Sequence, residues 1–307
     1  MKTDNLIFDG RHMLYRTSDA FKILSVEIEG REVGTGGMYG FLNVAVRIFR
    51  RYGGRVWVAW EGKRSRNFRR DLYPEYKRKR EPDSEQLEFL VSMGEQERRL
   101  QAMLRAMGVL QFRGAHCEAD DVMAWIATDA RERGETSIIY TGDSDLRQLV
   151  GPGISVAAPG FKSKDVLYDT AESVKEKHGV VPEKLADLKA LAGDSSDNIP
   201  GVRGIGPKTG ATLINQYGSV KNVIEAAREA DGTWPVSHRF RQLILDAEAD
   251  LSTFLALTQL QTAKDVHEIE RKRSQKTLIN HFKAYHFRSL MVPNELMDLM
   301  RMGSDVG

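Results

Sequence analysis

Three short apolar runs frame the chain, and each closes on acid. NLIFD (5–9) ends at Asp9, VWVAW (56–60) is followed by Glu61, and SIIYTGDSD (137–145) runs into Asp143 and Asp145. Runs this short and this uniformly apolar predict strands buried on both faces. The segments between them carry helical spacing. MYGFLNVAVRIFRRYG (38–53) places Phe41, Val44, Ala45, Ile48 and Phe49 on one face. Leu100, Met103, Leu104 and Met107 mark the apolar stripe of a second helix. EADDVMAWIATDARERG (118–134) predicts a third, with acids in its first turn, Arg131 and Arg133 near its end and Gly134 as its C-cap. VPEKLADLKALAGD (181–194) is helical with Pro182 near its start, and the remainder is mainly helical. Strands alternating with helices predict an α/β domain with a twisted, mostly parallel sheet flanked by helices over 1–180. A mainly helical region over 181–307 follows.

The acids change this picture from fold to chemistry. In open α/β sheets the ligand crevice lies beyond the carboxyl ends of the strands. Asp9, Glu61, Asp143 and Asp145 are therefore expected along one edge. Glu118 and Asp121, with Asp120 between them, share a three-residue spacing at a helix entry, and Asp194 and Asp197 repeat that spacing. Two unit charges ~4 Å apart repel by roughly 4 kcal/mol at an effective dielectric near 20. Nine converging carboxylates must protonate, unfold or bind cations. Carboxylate oxygens suit a hard divalent ion, Mg²⁺ or Mn²⁺. Zinc is disfavoured, because one cysteine and scattered histidines offer no zinc-binding spacing.

Directly after Asp194 and Asp197 comes GVRGIGPKTG (201–210). It is not a Walker A loop, because Pro207 separates Gly206 from Lys208 and no strand precedes it. It is not a dinucleotide fingerprint, because Thr209 stands where the third glycine belongs. A helix, a glycine turn and a second helix opened by Pro207 make a helix–hairpin–helix over 186–217. Backbone N–H groups at Gly201, Gly204 and Gly206, with Lys208 and Thr209, then hold a DNA phosphate without reading bases. Upstream, residues 62–80 interleave Lys63, Arg64, Arg66, Arg69, Arg70, Lys77, Arg78, Lys79 and Arg80 with Phe68, Tyr73 and Tyr76. Cations along a backbone and rings for base stacking suit single-stranded nucleic acid.

Composition limits where charge can act. With 45 Lys+Arg against 43 Asp+Glu in 307 residues, polyanion binding must come from segregated patches and not from net charge. The single Cys117 excludes a disulfide framework within the chain and fits a reducing compartment. No apolar run matches a signal peptide or a membrane span, so a cytoplasmic protein is expected.

Together these residues resemble the 5′-nuclease, or flap endonuclease, family, in particular its stand-alone bacterial and bacteriophage members. FDG (8–10), NFRRDLYPEYKRKR (67–80), EADD (118–121), TGDSD (141–145) and GDSSDNIPGVRGIGPKTG (193–210) carry the likeness, which spans nearly the whole chain. The resemblance implies a PIN-like fold with a helical arch or basic segment over 62–107. It implies that Asp9, Glu118, Asp120, Asp121, Asp143, Asp145, Asp194 and Asp197 carry two metal positions. Glu61 departs from the family's aspartate, so its ligation is indirect or through water. Lys77 and Arg80 would steer the scissile phosphate and Tyr76 would stack on a base near the cut. Arg69 and Arg70 would join in DNA binding, and K⁺ would sit at the hairpin. The implied reaction is two-metal hydrolysis of DNA at 5′ ends and 5′ flaps, leaving 5′-phosphate and 3′-hydroxyl, by a monomer. No polymerase domain follows within these residues, so action alone or beside a separate polymerase is expected. Two alternatives are a non-catalytic DNA-junction binder of the same fold and an endoribonuclease on a related acid-edged domain.

Overall fold

In the computed structural model, residues 2–21, 23–78, 81–159, 166–229, 234–261, 263 and 265–304 are described. Among them the strands are β1 (Asn5–Asp9), β2 (Ser25–Ile28), β3 (Arg31–Gly34), β4 (Arg55–Trp60), β5 (Leu110–Gly114), β6 (Ser137–Tyr140), β7 (Ile154–Pro159), β8 (Val166–Asp169) and β9 (Val266–Glu268). The helices are α1 (Gly10–Ala20), α2 (Gly36–Tyr52), α3 (Asn67–Leu72), α4 (Ser84–Met107), α5 (Ala119–Glu132), α6 (Ala171–His178), α7 (Leu185–Ala192), α8 (Pro207–Tyr217), α9 (Val220–Glu229), α10 (Arg239–Asp246), α11 (Glu248–Thr258), α12 (Gln275–Ala284) and α13 (Pro293–Met302). The chain forms two compact units. One comprises Met1–Lys63, Glu81–Gly142 and Ala263–Gly307; the other comprises Arg64–Arg80 and Asp143–Thr262.

The first unit is built on strands in the order β6-β1-β4-β5-β9. β1 pairs in parallel with β4 and β6, and β4 pairs in parallel with β5. Only β9 lies antiparallel, with Phe112 opposite Glu268. Leu6, Ile7 and Phe8 of β1 and Val58, Ala59 and Trp60 of β4 are fully buried, as continuous apolar strands in a parallel sheet require. The expected mostly parallel sheet flanked by helices is what forms. α5 packs on β1, β4, β5 and β6, while α1 lies against β1 and β4 and pairs with α2. Gly10 permits this entry: a Cβ there would meet the Trp60 ring at 2.6 Å, so the chain can turn from β1 into α1 only without a side chain. The Leu100, Met103, Leu104 and Met107 stripe is wholly buried on α4. Gly134, at φ +75°, stands one residue beyond the Arg133 cap of α5.

Three features of this unit carried no signal in the sequence reading. α1 follows Asp9 without a break, β5 completes the parallel set, and β2 and β3 form a separate antiparallel hairpin.

The second unit is mainly helical, with the antiparallel pair β7–β8. The predicted helix over 181–194 resolves into a 3₁₀ turn at Pro182–Lys184 and then α7. α7 packs against α8 and α11, and Leu188, Leu191, Leu213, Ile214, Leu251 and Phe254 of these helices are buried. Pro207 opens α8 as expected, where its missing N–H is not needed. No helix among the described residues is long and apolar enough to cross a membrane.

Candidate active site and nucleic-acid interface

In the first unit, parallel strands bring Asp9 and Glu61 to the same sheet edge, because Asp9 is in register with Ala59, two residues before Glu61. Asp9 is 6% exposed. One of its carboxylate oxygens caps α1 by accepting from the His12 N–H (2.9 Å), and the other accepts from the Thr141 hydroxyl (3.4 Å). Glu118 and Asp121 form a reciprocal capping box at the start of α5, with the Glu118 N–H donating to Asp121 at 3.1 Å. Both are buried, and Asp120 beside them is half-buried. A helix N-terminus stabilises this negative charge. Glu61, expected to reach a metal only indirectly or through water, is paired with an arginine. Its carboxylate accepts from Arg11 Nη1 at 3.1 Å, and Arg11 Nε also approaches Glu97 at 4.0 Å. Burial works against the Arg11 charge, but Glu61 and Glu97 outweigh it and raise its pKa.

In the second unit, Asp143, Asp145, Asp194 and Asp197 come together. Asp143 accepts from the Asp145 N–H (2.8 Å) at the turn after Gly142. Asp194 and Ile199 exchange two backbone hydrogen bonds of 2.8 Å each, which closes the loop 194–199 and aims the acids. The Asp194 carboxylate also accepts from the Ser196 N–H (2.9 Å). Lys189 of α7 donates to Asp145, to Asp194 (2.7 Å) and to the Ser144 hydroxyl (3.2 Å).

The electrostatics follow from burial. Burial, with Asp145, Asp194 and Asp143 close by, pushes Asp197 up to about 6, against the pull of Lys77. Burial also raises Asp145, although Lys189 opposes it. For Asp194, burial would raise the carboxyl, but hydrogen bonds from Lys189 and Ser196 win and lower it. Lys189 itself is desolvated, yet the two carboxylates raise it to about 12.

These donors fit a divalent cation. They are hard oxygen ligands, Asp145 and Asp197 among them are held against ionisation by burial, and an ammonium already stands among them as a stand-in cation. They are not a finished ligand cage, since among the described residues no three His, Cys, Asp or Glu side chains are set together ready to hold a metal.

The basic segment lies in the same unit. Asn198, at φ +59°, donates its side-chain N–H groups to the carbonyls of Glu75 (3.0 Å) and Arg78 (2.8 Å). The Lys77 N–H donates to the Asp197 carbonyl (3.0 Å), and Lys77 Nζ lies 3.7 Å from the Asp197 carboxylate. Lys77 thus lies beside Asp197.

Two residues depart from expectation. Tyr76 is 1% exposed, with the Arg69 guanidinium 5.9 Å and the Lys77 ammonium 5.2 Å from its ring centre, so the ring is not presented to a base. Arg69 is 4% exposed and donates to the carbonyls of Leu257 (3.2 Å) and Gln259 (3.3 Å), which ties α3 to the end of α11. Arg70 is exposed and reaches back to the Tyr76 and Lys77 carbonyls. Arg80 lies outside the described residues.

The glycine loop has the form its sequence requires. Gly201 and Gly204 take φ +62° and +84°, and a Cβ on Gly201 would lie 2.3 Å from the Gly193 nitrogen. Val202 and Ile205 point inward, while Arg203, Gly204, Gly206 and Lys208 are exposed and Thr209 is half-buried at the start of α8. Unsatisfied N–H groups at such a helix start attract anions.

Sequence reasoning missed Lys189, Asn198 and Arg11. Of these, Arg11 directly follows FDG in the sequence, and Lys189 and Asn198 carry no comparable signal.

Comparison with known proteins agrees with this architecture. Residues 4–179 match the family described as 5′-3′ exonuclease, N-terminal resolvase-like domain. Residues 180–283 match 5′-3′ exonuclease, C-terminal SAM fold. The 5′-3′ exonuclease of Aquifex aeolicus is 29% identical over 254 residues, covering 80% of this chain and 83% of that protein. DNA polymerase I of Bacillus caldotenax is 34% identical over 233 residues, covering 76% of this chain; the chain spans only 25% of that longer relative. Among solved structures, the T5 D15 protein co-crystallised with metal ions aligns with a TM-score of 0.67 at 20% identity, over 98% of this chain and 99% of that one. The catalytic core of Rad2 in complex with DNA substrate aligns at 0.59 and 17% identity, over 97% and 92%. Two adjoining family matches that together run from residue 4 to residue 283 place the chain in the 5′-3′ exonuclease family.

Proposed function

We propose that the protein is a structure-specific 5′-nuclease that hydrolyses DNA phosphodiester bonds at 5′ ends and 5′ flaps with two divalent ions. One observation carries this reading. In the second unit, four clustered acids, two of them (Asp145 and Asp197) pushed up by burial, adjoin a glycine loop and helix start suited to duplex phosphate. Asp194 and Asp197 lie only a few residues before Gly201, so grip and cut are linked by a short, hydrogen-bonded loop.

Asp143, Asp145, Asp194 and Asp197 in the second unit, and Asp9, Glu118, Asp120 and Asp121 in the first, are the residues that would hold divalent cations, Mg²⁺ or Mn²⁺. When bound, these ions supply Lewis acidity and charge neutralisation for in-line displacement at phosphorus. Lys77 donates to the scissile phosphate, and Arg80 shares that task. Gly201, Gly204, Gly206, Lys208 and Thr209 hold the duplex backbone, with K⁺ at the loop, and Arg70 adds a phosphate contact. Arg69 and Tyr76 support the shape of this segment from within. The products carry 5′-phosphate and 3′-hydroxyl. The named substrates of relatives support DNA, and the polymerase relatives support a partner polymerase acting in trans.

Glu61 favours a second reading, a junction binder without turnover, because Arg11 occupies the carboxylate expected to face a metal. A panel of 5′-labelled DNA flap, DNA duplex and single-stranded RNA separates the possibilities. The proposal expects metal-dependent cleavage of the DNA substrates. Binding without product favours the junction binder, and preferential RNA cleavage favours an endoribonuclease.

A further inference from the structure

Lys189 lies on α7, five residues before Asp194, and its side chain is 14% exposed. An ammonium has three N–H donors. Here the three acceptors are the Ser144 hydroxyl at 3.2 Å, the Asp145 carboxylate, and the Asp194 carboxylate at 2.7 Å. The group is fully satisfied and bridges two of the acids assigned to cation binding. Each oxygen that Lys189 engages is a lone pair that a divalent ion would need, and two cations cannot share that space without strong repulsion.

We propose that Lys189 is a built-in counter-ion of the second-unit carboxylates, which a divalent cation must displace in order to bind. This rests on the reading of those acids as metal-holding. It gives the empty protein a stable, neutralised carboxylate group. It also makes cation affinity at this group weaker than four carboxylates would otherwise provide. Lys77 lies 3.7 Å from the Asp197 carboxylate, a longer approach than the Lys189–Asp194 contact of 2.7 Å. Lys189 is a positioning residue in this account: it acts on Asp145 and Asp194 and not on the substrate.

The test is Mn²⁺ binding to the full chain by titration calorimetry, with melting curves in EDTA and in Mn²⁺. The proteins compared are the unmodified chain, Lys189→Met, Lys189→Gln and Lys189→Arg. The two neutral variants are expected to bind Mn²⁺ tighter by about tenfold or more, since a neighbouring positive charge is gone. They should also melt lower in EDTA and regain more on adding Mn²⁺, while Lys189→Arg stays near the unmodified protein. Should Lys189→Met fail to fold in EDTA, recovery of its fold by Mn²⁺ supports the proposal and failure to recover counts against it. Lys189→Gln, which can still hydrogen-bond Ser144, carries the affinity comparison. Equal or weaker Mn²⁺ binding in the neutral variants, with normal binding in the unmodified chain, overturns the counter-ion role and leaves the metal reading standing. No Mn²⁺ binding in any of the four overturns both.

Discussion

Lys77 and Asp197 are joined twice: the Lys77 N–H donates to the Asp197 carbonyl at 3.0 Å, and the Lys77 ammonium lies 3.7 Å from the Asp197 carboxylate. The basic segment and the acidic loop therefore form one structural piece within the second unit, fastened further by Asn198 to the carbonyls of Glu75 and Arg78. Movement of one is felt by the other.

Despite this coupling, burial makes Asp197 a pH-dependent liability. Burial and three neighbouring acids raise its carboxyl from 3.8 to about 6. A carboxyl that is raised on folding costs nothing below its unfolded value and costs stability as pH climbs through the folded value. In chelator, Asp197→Asn should raise the melting temperature at pH 8, by an amount corresponding to at most about 3 kcal/mol. The gain should shrink through pH 6 and vanish near pH 4. Melting curves across that range check it, and a gain independent of pH would contradict the assignment.

Removing metal-holding acids should separate cutting from binding. Asp143→Ala and Asp194→Ala are expected to lower flap cleavage by more than about 100-fold. Their DNA affinity should stay near that of the unmodified protein, because the glycine loop and Lys208 are untouched. Parallel cleavage and gel-shift assays measure both.

Within the glycine loop, two substitutions should behave oppositely. Gly201→Ala places a methyl against the Gly193 nitrogen at a positive φ, and should cost about 3 kcal/mol or more. Gly206→Ala meets no atom within 4 Å and should be tolerated in a melting experiment. If Gly206→Ala weakens DNA binding while the fold persists, a close backbone approach at that position explains it.

Two cations, Lys208 and Arg69, should separate by role. Lys208→Ala should weaken duplex binding and reduce the slope of log affinity against log salt by about 1. Arg69→Met instead removes the guanidinium donors to the carbonyls of Leu257 and Gln259, the latter keeping the Gln261 amide, and should cost about 1–3 kcal/mol of stability with little change in salt slope.

The buried strands were legible because a parallel sheet covered on both faces demands unbroken apolar runs, and NLIFD and VWVAW have no other use. The hairpin β2–β3 was not, because only Val26 and Val33 turn inward and two isolated valines make no pattern. The glycine loop could be read in detail, since positive φ at Gly201 and Gly204 leaves few alternatives to glycine. Arg69 and Tyr76 were misread for a common reason. A basic–aromatic run looks like a solvated, base-facing surface unless something is known to cover it, and α11, which covers it, lies far along the chain. Lys189 was invisible because LADLKALA is an ordinary helix in sequence, and only folding brings its ammonium to Asp145, 44 residues away.

The central claim is that the acids become an active centre only when divalent cations join them. Its most direct measurement is cleavage of a 5′-labelled flap duplex across a titration of Mn²⁺ and Mg²⁺, repeated in EDTA. The account predicts short 5′-labelled products that appear with rising metal and disappear with chelator. Products unchanged by EDTA, or stable DNA binding with no product at any metal concentration, would contradict it.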